Sequence, residues 1–393
     1  MATLVGSSAL RSPWRQATYA ALLVALFGCS ESPYTQRAVS RDSAGIQIVE
    51  NGPLPDRAAL GLGAPEYLIG WEPGGHIWQR VQSGALLTDG RAAIADVGSS
   101  QVVVLDPSGK IEAVLGGQGE GPGEFGYLSS VFDAGGDSIV AVDTRVGRAT
   151  LFSETTIARE HQLDLAVFSA MSAISTDRNG GLIMSTSRWW PYVNEPWVAA
   201  VVGRYDLATG QIDTLTRYDL VPRGIEGRTP NPFRPRGWVA ASSRGIVSTR
   251  GDRTQFERYA LNGPLTQLIR WTEDRIPFDD SIWADYDDFS RSRQPPSDEL
   301  DRVLANLRSA ADGPLPYSTG VRTDDSGNVW VAQYAADWRY PPRYRVFSTT
   351  GSFLGWATMP PRFEVLDFNV NFLLGVHRDE LDVPAVALYR LQE

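Results

Sequence analysis

Tryptophan and tyrosine set among proline and arginine are the residues of this chain best placed to meet a ligand. Trp189, Trp190 and Trp197 fall in one proline-containing stretch, and Trp338 and Tyr340 in another. Such side chains offer flat apolar platforms with a polar edge, suited to a sugar, a peptide or a cation. They serve equally to pack long loops onto a scaffold. His377 is a lone candidate general base, although an isolated histidine is commonly structural. Arg223, Arg228, Arg234 and Arg236 could grip an anion through paired N–H donors, or stand in a solvated loop. The run Asp279, Asp280, Asp285, Asp287 and Asp288 offers oxygen ligands of the kind Ca²⁺ takes. It lacks the spacing, glycine and terminal glutamate of an EF-hand, and reads as a solvated acidic loop. Asp96 and Asp143 hold equivalent places after a strand and read as loop caps.

Composition removes several chemistries. The 393 residues carry 36 basic and 46 acidic side chains, a formal charge of −10. That balance argues against a phosphate-binding nucleic-acid surface. Lys110 is the sole lysine and sits in a turn, a poor place for Schiff-base work. One cysteine, Cys29, excludes an intramolecular disulfide and a cysteine-rich zinc site. Three histidines, His76, His161 and His377, leave little for a histidine metal site. No Gly-x-Ser-x-Gly elbow, phosphate-binding P-loop or HExxH helix is present. No catalytic residue and no metal ligand is therefore assigned, and no cofactor is expected.

The elements that must position these residues recur along the chain. A turn rich in Gly, Asp or Asn leads into a short alternating strand, then a variable loop, a second strand, a tight turn and a third strand. Thr88-Asp89-Gly90, Gly135-Gly136-Asp137, Arg178-Asn179-Gly180-Gly181, Ser243-Arg244-Gly245, Asp325-Ser326-Gly327-Asn328 and Phe368-Asn369 open six such units. A further strand precedes each first turn, so a unit is a four-stranded antiparallel sheet. One such sheet cannot bury both faces, and radial repetition can. The fold class is all-β: a six-bladed β-propeller. The last unit lacks its outer strand, and residues 67–69 are expected to supply it and close the ring. The strand at residues 45–49 has no assigned place, beyond packing on the outside. Residues 298–311 carry helical apolar spacing and form one inserted amphipathic helix.

With strands labelled a to d from the axis outward, the a–b and c–d turns share one end of the ring and are uniformly short. The insertions fall on the other end, in b–c and d–a connections: 188–197, 219–237, 273–316, 335–343 and 377–384. Function on repeat folds concentrates in such loops. Trp189, Trp190, Trp197, Trp338, Tyr340 and His377 all belong to this face and are the candidate binding residues.

The N-terminus reads as an address. Arg11 and Arg15 precede an uncharged apolar stretch at 17–28, too short to cross a bilayer and of signal-peptide length. It ends Leu26-Phe27-Gly28-Cys29, which resembles a bacterial lipobox. The resemblance implies a signal peptide at 1–28, lipidation at Cys29 and a polar tether at 29–43 ahead of a propeller over 44–393. With no Asp directly after Cys29, the expected place is the outer membrane, facing periplasm or cell surface.

The segment Gly-x-x-Gly-x-Gly-Pro-Gly-x-Phe at 116–125 resembles the signature of NHL repeats, which build six-bladed propellers. A degenerate copy follows residue 67. With Cys29 and the opening at Asp42, the pattern looks like bacterial six-bladed propeller lipoproteins of that group. The expectation is a lipid-anchored envelope binding module that meets a protein, peptide or carbohydrate through its elaborated face, and the membrane through its anchor alone. The alternative implied by other six-bladed propellers is a metal-dependent hydrolase or lyase, lactonase-like, with a divalent ion such as Ca²⁺ in the central channel.

Overall fold

The computed structural model describes residues 38–186, 197–222, 231–311, 313–337 and 339–392. Three N-terminal strands come first: β1 (Val39–Ser43), β2 (Ile46–Pro53) and β3 (Ala58–Ile69). Six blades follow. Blade 1 is β4 (Val81–Leu86), β5 (Ala92–Asp96), β6 (Gln101–Leu105) and β7 (Ile111–Gly116). Blade 2 is β8 (Leu128–Gly135), β9 (Ser138–Asp143), β10 (Arg148–Ser153) and β11 (Thr156–Gln162), followed by helix α1 (Leu165–Ala170). Blade 3 is β12 (Met171–Thr176), β13 (Gly181–Thr186), β14 (Trp197–Asp206) and β15 (Ile212–Pro222). Blade 4 is β16 (Gly237–Ser242), β17 (Gly245–Arg250), β18 (Gln255–Tyr259) and β19 (Leu265–Thr272). Helices α2 (Asp280–Arg293) and α3 (Asp298–Ser309) separate it from blade 5, which is β20 (Ser318–Thr323), β21 (Val329–Gln333), β22 (Arg343–Phe347) and β23 (Phe353–Thr358). Blade 6 is β24 (Phe363–Phe368), β25 (Phe372–Arg378) and β26 (Pro384–Gln392), and its fourth strand is β3.

The ring closes as the sequence predicts: Tyr67 pairs with Leu388 and Ile69 with Val386, antiparallel. The strand that had no place, β2, runs parallel to β19 on the outside of blade 4, with β1 folded back over it. Asn51 fixes β2 there. Its amide donates to the carbonyls of Arg270 and Gly351, and its side-chain oxygen accepts from Phe353 N. The start of β3 then pairs with β23 of blade 5 before the strand reaches blade 6. The N-terminal chain thus straps blades 4, 5 and 6 together. Residues 39–43, expected as the end of a polar tether, instead pair as β1.

The cores lie between blades, built by alternation on strands such as Ala92–Asp96 and Gln101–Leu105, whose two faces pack in opposite directions. The glycine-rich segment at 116–125 acts here as a plug. Phe125 is fully buried between blades 1 and 2, and its N–H donates to Gly117 O. Gly116 has φ +83°, and a Cβ there would lie 2.3 Å from the Phe125 ring. The degenerate copy repeats the device: Trp78 is buried, donates to Ile69 O, and lies 2.7 Å from where a Gly70 Cβ would stand.

Two expectations need correction. The acidic run is a helix: Asp279 caps α2 by accepting from Ser281 and Ile282 N–H, and Asp287 bridges to Arg291. The i, i+1, i+4, i+7 spacing of Ile282, Trp283, Tyr286 and Phe289 is helical and went unread. The insertion therefore carries two helices where one was expected. α3 is the amphipathic one, with Leu300, Leu304 and Leu307 buried and Ser297 capping its start.

Candidate functional site

The six innermost strands surround an axial cavity of about 630 Å³. Its wall is polar for a physical reason. Adjacent innermost strands diverge around the axis, so side chains of one blade bond to the backbone of the next. Ser83 Oγ donates to Val131 O and accepts from its N–H, joining blades 1 and 2. Thr176 Oγ1 donates to Asp133 O at 2.7 Å, joining blades 3 and 2. Arg322 donates to the carbonyls of Val365 and Leu366, joining blades 5 and 6. Asp367 accepts from Leu86 N at 2.8 Å, joining blades 6 and 1.

The cavity wall carries charges of both signs. Asp133 is buried and bridges Arg178 at 2.7 Å, and burial still raises its pKa. Burial likewise raises Glu364, against the pull of Arg378, Arg339 and Arg322. Asp367 is pushed up to about 6, by burial first, against the lowering effect of the Leu86 and Phe368 N–H groups. A carboxyl of this kind is the sort that catalytic sites use as an acid. Both Asp367 oxygens, however, accept backbone N–H bonds, which is a structural employment. Among the described residues, no three His, Cys, Asp or Glu side chains converge on a point that could hold a metal ion.

The insertion-face residues singled out from sequence have separate situations. Trp189, Trp190 and Trp338 lie outside the described residues, as do Cys29, Arg223 and Arg228. Trp197 is buried at the start of β14, with the Arg250 guanidinium 3.8 Å over its ring. Arg250 in turn bonds Asp219 and Asp252, so this ring is covered. Tyr340 is half-buried under Arg339, which pairs with Asp337. His377 packs on Phe363 and bonds Tyr389 Oη at 2.6 Å. Burial lowers its pKa and keeps it neutral. Arg234 donates to Ala310 O at the end of α3, beside Phe233, which is buried against Phe278, Trp283 and Tyr286. The two d–a insertions thus share one small core. Asp96 and Asp143 do cap loops: the first accepts from Gln79, Arg80 and Gly98, the second from Gly126, Tyr127, Arg145 and Val146.

Sequence reasoning missed the cavity residues Asp133, Arg178, Arg322, Glu364 and Asp367. The available signal was position: superposing the first strand of each unit shows which polar residues must face the axis.

No protein-family model matches the chain, and no curated protein resembles it in sequence. In fold it is similar to a Bacteroides fragilis protein described as exported, at 12% identity and a TM-score of 0.52, covering 88% of this chain and 100% of that one. It is also similar to a DUF4221 family member from Bacteroides vulgatus, at 9% identity and a TM-score of 0.52, covering 85% and 98%. Likeness at these identities is one of fold: the chain is a six-bladed propeller.

Proposed function

We propose that the protein is an exported, lipid-anchored binding module of the cell envelope, engaging its ligand or partner through the insertion face. The observation carrying this reading is the division of labour between the two ends of the ring. The a–b and c–d connections are tight turns, whereas residues 70–80, 117–127, 163–170, 273–317, 334–342 and 379–383 all emerge on the opposite end. Elaborated loops on a rigid scaffold are where binding groups are displayed. Export and anchoring rest on the stretch at 17–28 and on Cys29, with the exported relative in fold as support. An NHL-type origin rests on the plug at 116–125 and its copy. The hydrolase or lyase reading gains no favouring observation from Asp133 and Asp367, which are engaged at blade joints.

A photo-crosslinking residue placed in cells at Leu381 on the insertion face, or at Val370 in a plain-face turn, tests the reading, both positions being exposed. Adducts of protein, glycan or lipid are expected from Leu381 and not from Val370. Adducts from Val370 alone, or equal adducts from both, would sink it.

A further inference from the structure

Exposed large apolar side chains are unevenly shared between the two ends of the ring. Trp71, Ile77, Tyr127, Leu165, Ile276, Leu381 and Val383 stand on insertion-face connections; on the plain-face turns Val370 is the one such residue among those described. The rest are scattered singly on outer strands, where they need no explanation. Exposure is extreme at Ile77, 81%, and Leu381, 85%. Four of the seven belong to one sector. The Trp71 indole donates to Val383 O at 3.1 Å, which joins the 70–80 connection to the 379–383 loop while the Trp71 side chain stays partly exposed beside His377.

The path of the N-terminal chain supplies the second observation. β2 runs parallel to β19 and finishes beside Thr272, where the insertion face begins. β1 runs back along β2, so its first residue, Val39, lies opposite Glu50, toward that same end. Only residues 30–37 separate Cys29 from Ala38. Fully extended, so short a chain reaches about 30 Å. An anchor at Cys29 therefore holds the insertion-face rim of blade 4 close to the lipid.

We infer that the insertion face lies against the bilayer that holds the anchor, with Trp71, Ile77, Leu381 and Val383 seated at the lipid–water boundary. This deepens the envelope-binding reading and rests on its lipid anchor. Aromatic and aliphatic side chains at such a boundary gain free energy by leaving water, and tryptophan is favoured there. The docking orients the propeller: the polar plain-face mouth of the axial cavity, ringed by Thr88, Arg178, Ser243, Asp325 and Asn369, opens away from the membrane.

The full lipidated chain, in phosphatidylcholine vesicles carrying brominated acyl chains, tests this. Its only native cysteine bears the lipid, so Ile77→Cys, Leu381→Cys and Val370→Cys each introduce one labelling site. Bilayer quenching of an environment-sensitive dye is expected at 77 and 381, at least threefold stronger than at 370. Equal, weak quenching at all three on anchored protein overturns the docking. In that case a disulfide between two copies at 381 assigns the face to self-association, and its absence assigns the face to another protein. An intact mass showing an unmodified Cys29 thiol overturns the anchor reading itself, and this inference with it.

Discussion

Several plain-face turns are closed by a carboxylate standing a few residues away, whereas the two large insertions at 219–237 and 273–316 are closed by rings and ion pairs that meet from distant parts of the chain. Asp106 accepts from Ser108 and Lys110, Asp177 from Asn179 and Gly181, and Asp324 from Asn328. Each bond spans at most four residues. On the insertion face, Glu273 grips Arg345, with Nε–Oε2 2.7 Å and Nη2–Oε1 2.5 Å, and also accepts from the Trp271 indole. Phe233 gathers Phe278, Trp283 and Tyr286 from a segment some fifty residues away. Local closure makes one face uniform, and long-range closure frees the other to vary. A propeller can change its insertion face without disturbing the turns that set its ring.

The sharpest way to break that contrast is at Arg345, 1% exposed between Trp356 and Trp271. Burial disfavours its charge, against the opposing pull of Glu273. Glu273→Ala leaves an uncompensated buried guanidinium, and is expected to cost about 3–5 kcal/mol in urea unfolding. Asp106→Ala, at a solvated turn, should fall far below that. Equal losses would show that the long-range closure is no more demanding than the local one.

A second effect separates two kinds of carboxylate. At the exposed turn, Asp206 is lowered to about 2 by Arg204 and Thr209, whereas burial at a blade joint raises Asp367 to about 6. The signs differ. Asp206 lends stability above the ordinary carboxylate range and loses it as pH falls toward 2. Asp367 keeps a proton that the unfolded chain releases, so its contribution falls as pH rises from about 4 to 6 and is level above. Relative to Asp367→Asn, the wild-type protein should lose about 2 kcal/mol between pH 4 and pH 7. Parallel pH profiles for the two proteins in urea titrations would show that this carboxyl is not strained by burial.

The same contrast explains what could be read in advance. Blades, ring closure at Tyr67 and the clustering of insertions follow from alternation and glycine turns, which are local signals. The Gly-Gly-Asp turn after β8 and the Thr-Asp-Gly turn after β4 say what they are within four residues. α2 escaped notice because its four aspartates, with Asp279 capping them, mask an apolar set that makes sense only against Phe233. Trp197 looked like a platform because nothing near it in sequence announces Arg250. The cavity charges escaped for a related reason: Asp367 is one polar residue in an apolar strand, and its partner Leu86 is 281 positions away. Legibility tracks sequence separation.

The smallest effect probes whether the helical insertion is an independent unit. Ser297 Oγ accepts from Leu300 N at 3.1 Å and caps α3, whose inner face buries Leu300, Leu304 and Leu307. Ser297→Ala removes one cap and should cost about 1 kcal/mol. Where that cost appears matters more than its size. The insertion is fastened to the ring by Glu273 with Arg345 and by Arg275 with the Asp252 carbonyl, among other contacts. If α3 opens without the blades, hydrogen exchange should quicken about fivefold in α2 and α3 amides, while β20 and β21 amides and the global urea midpoint stay put. A shifted midpoint with uniform acceleration would mean that the insertion and the ring unfold together, and that the two faces are one cooperative body despite their different closures.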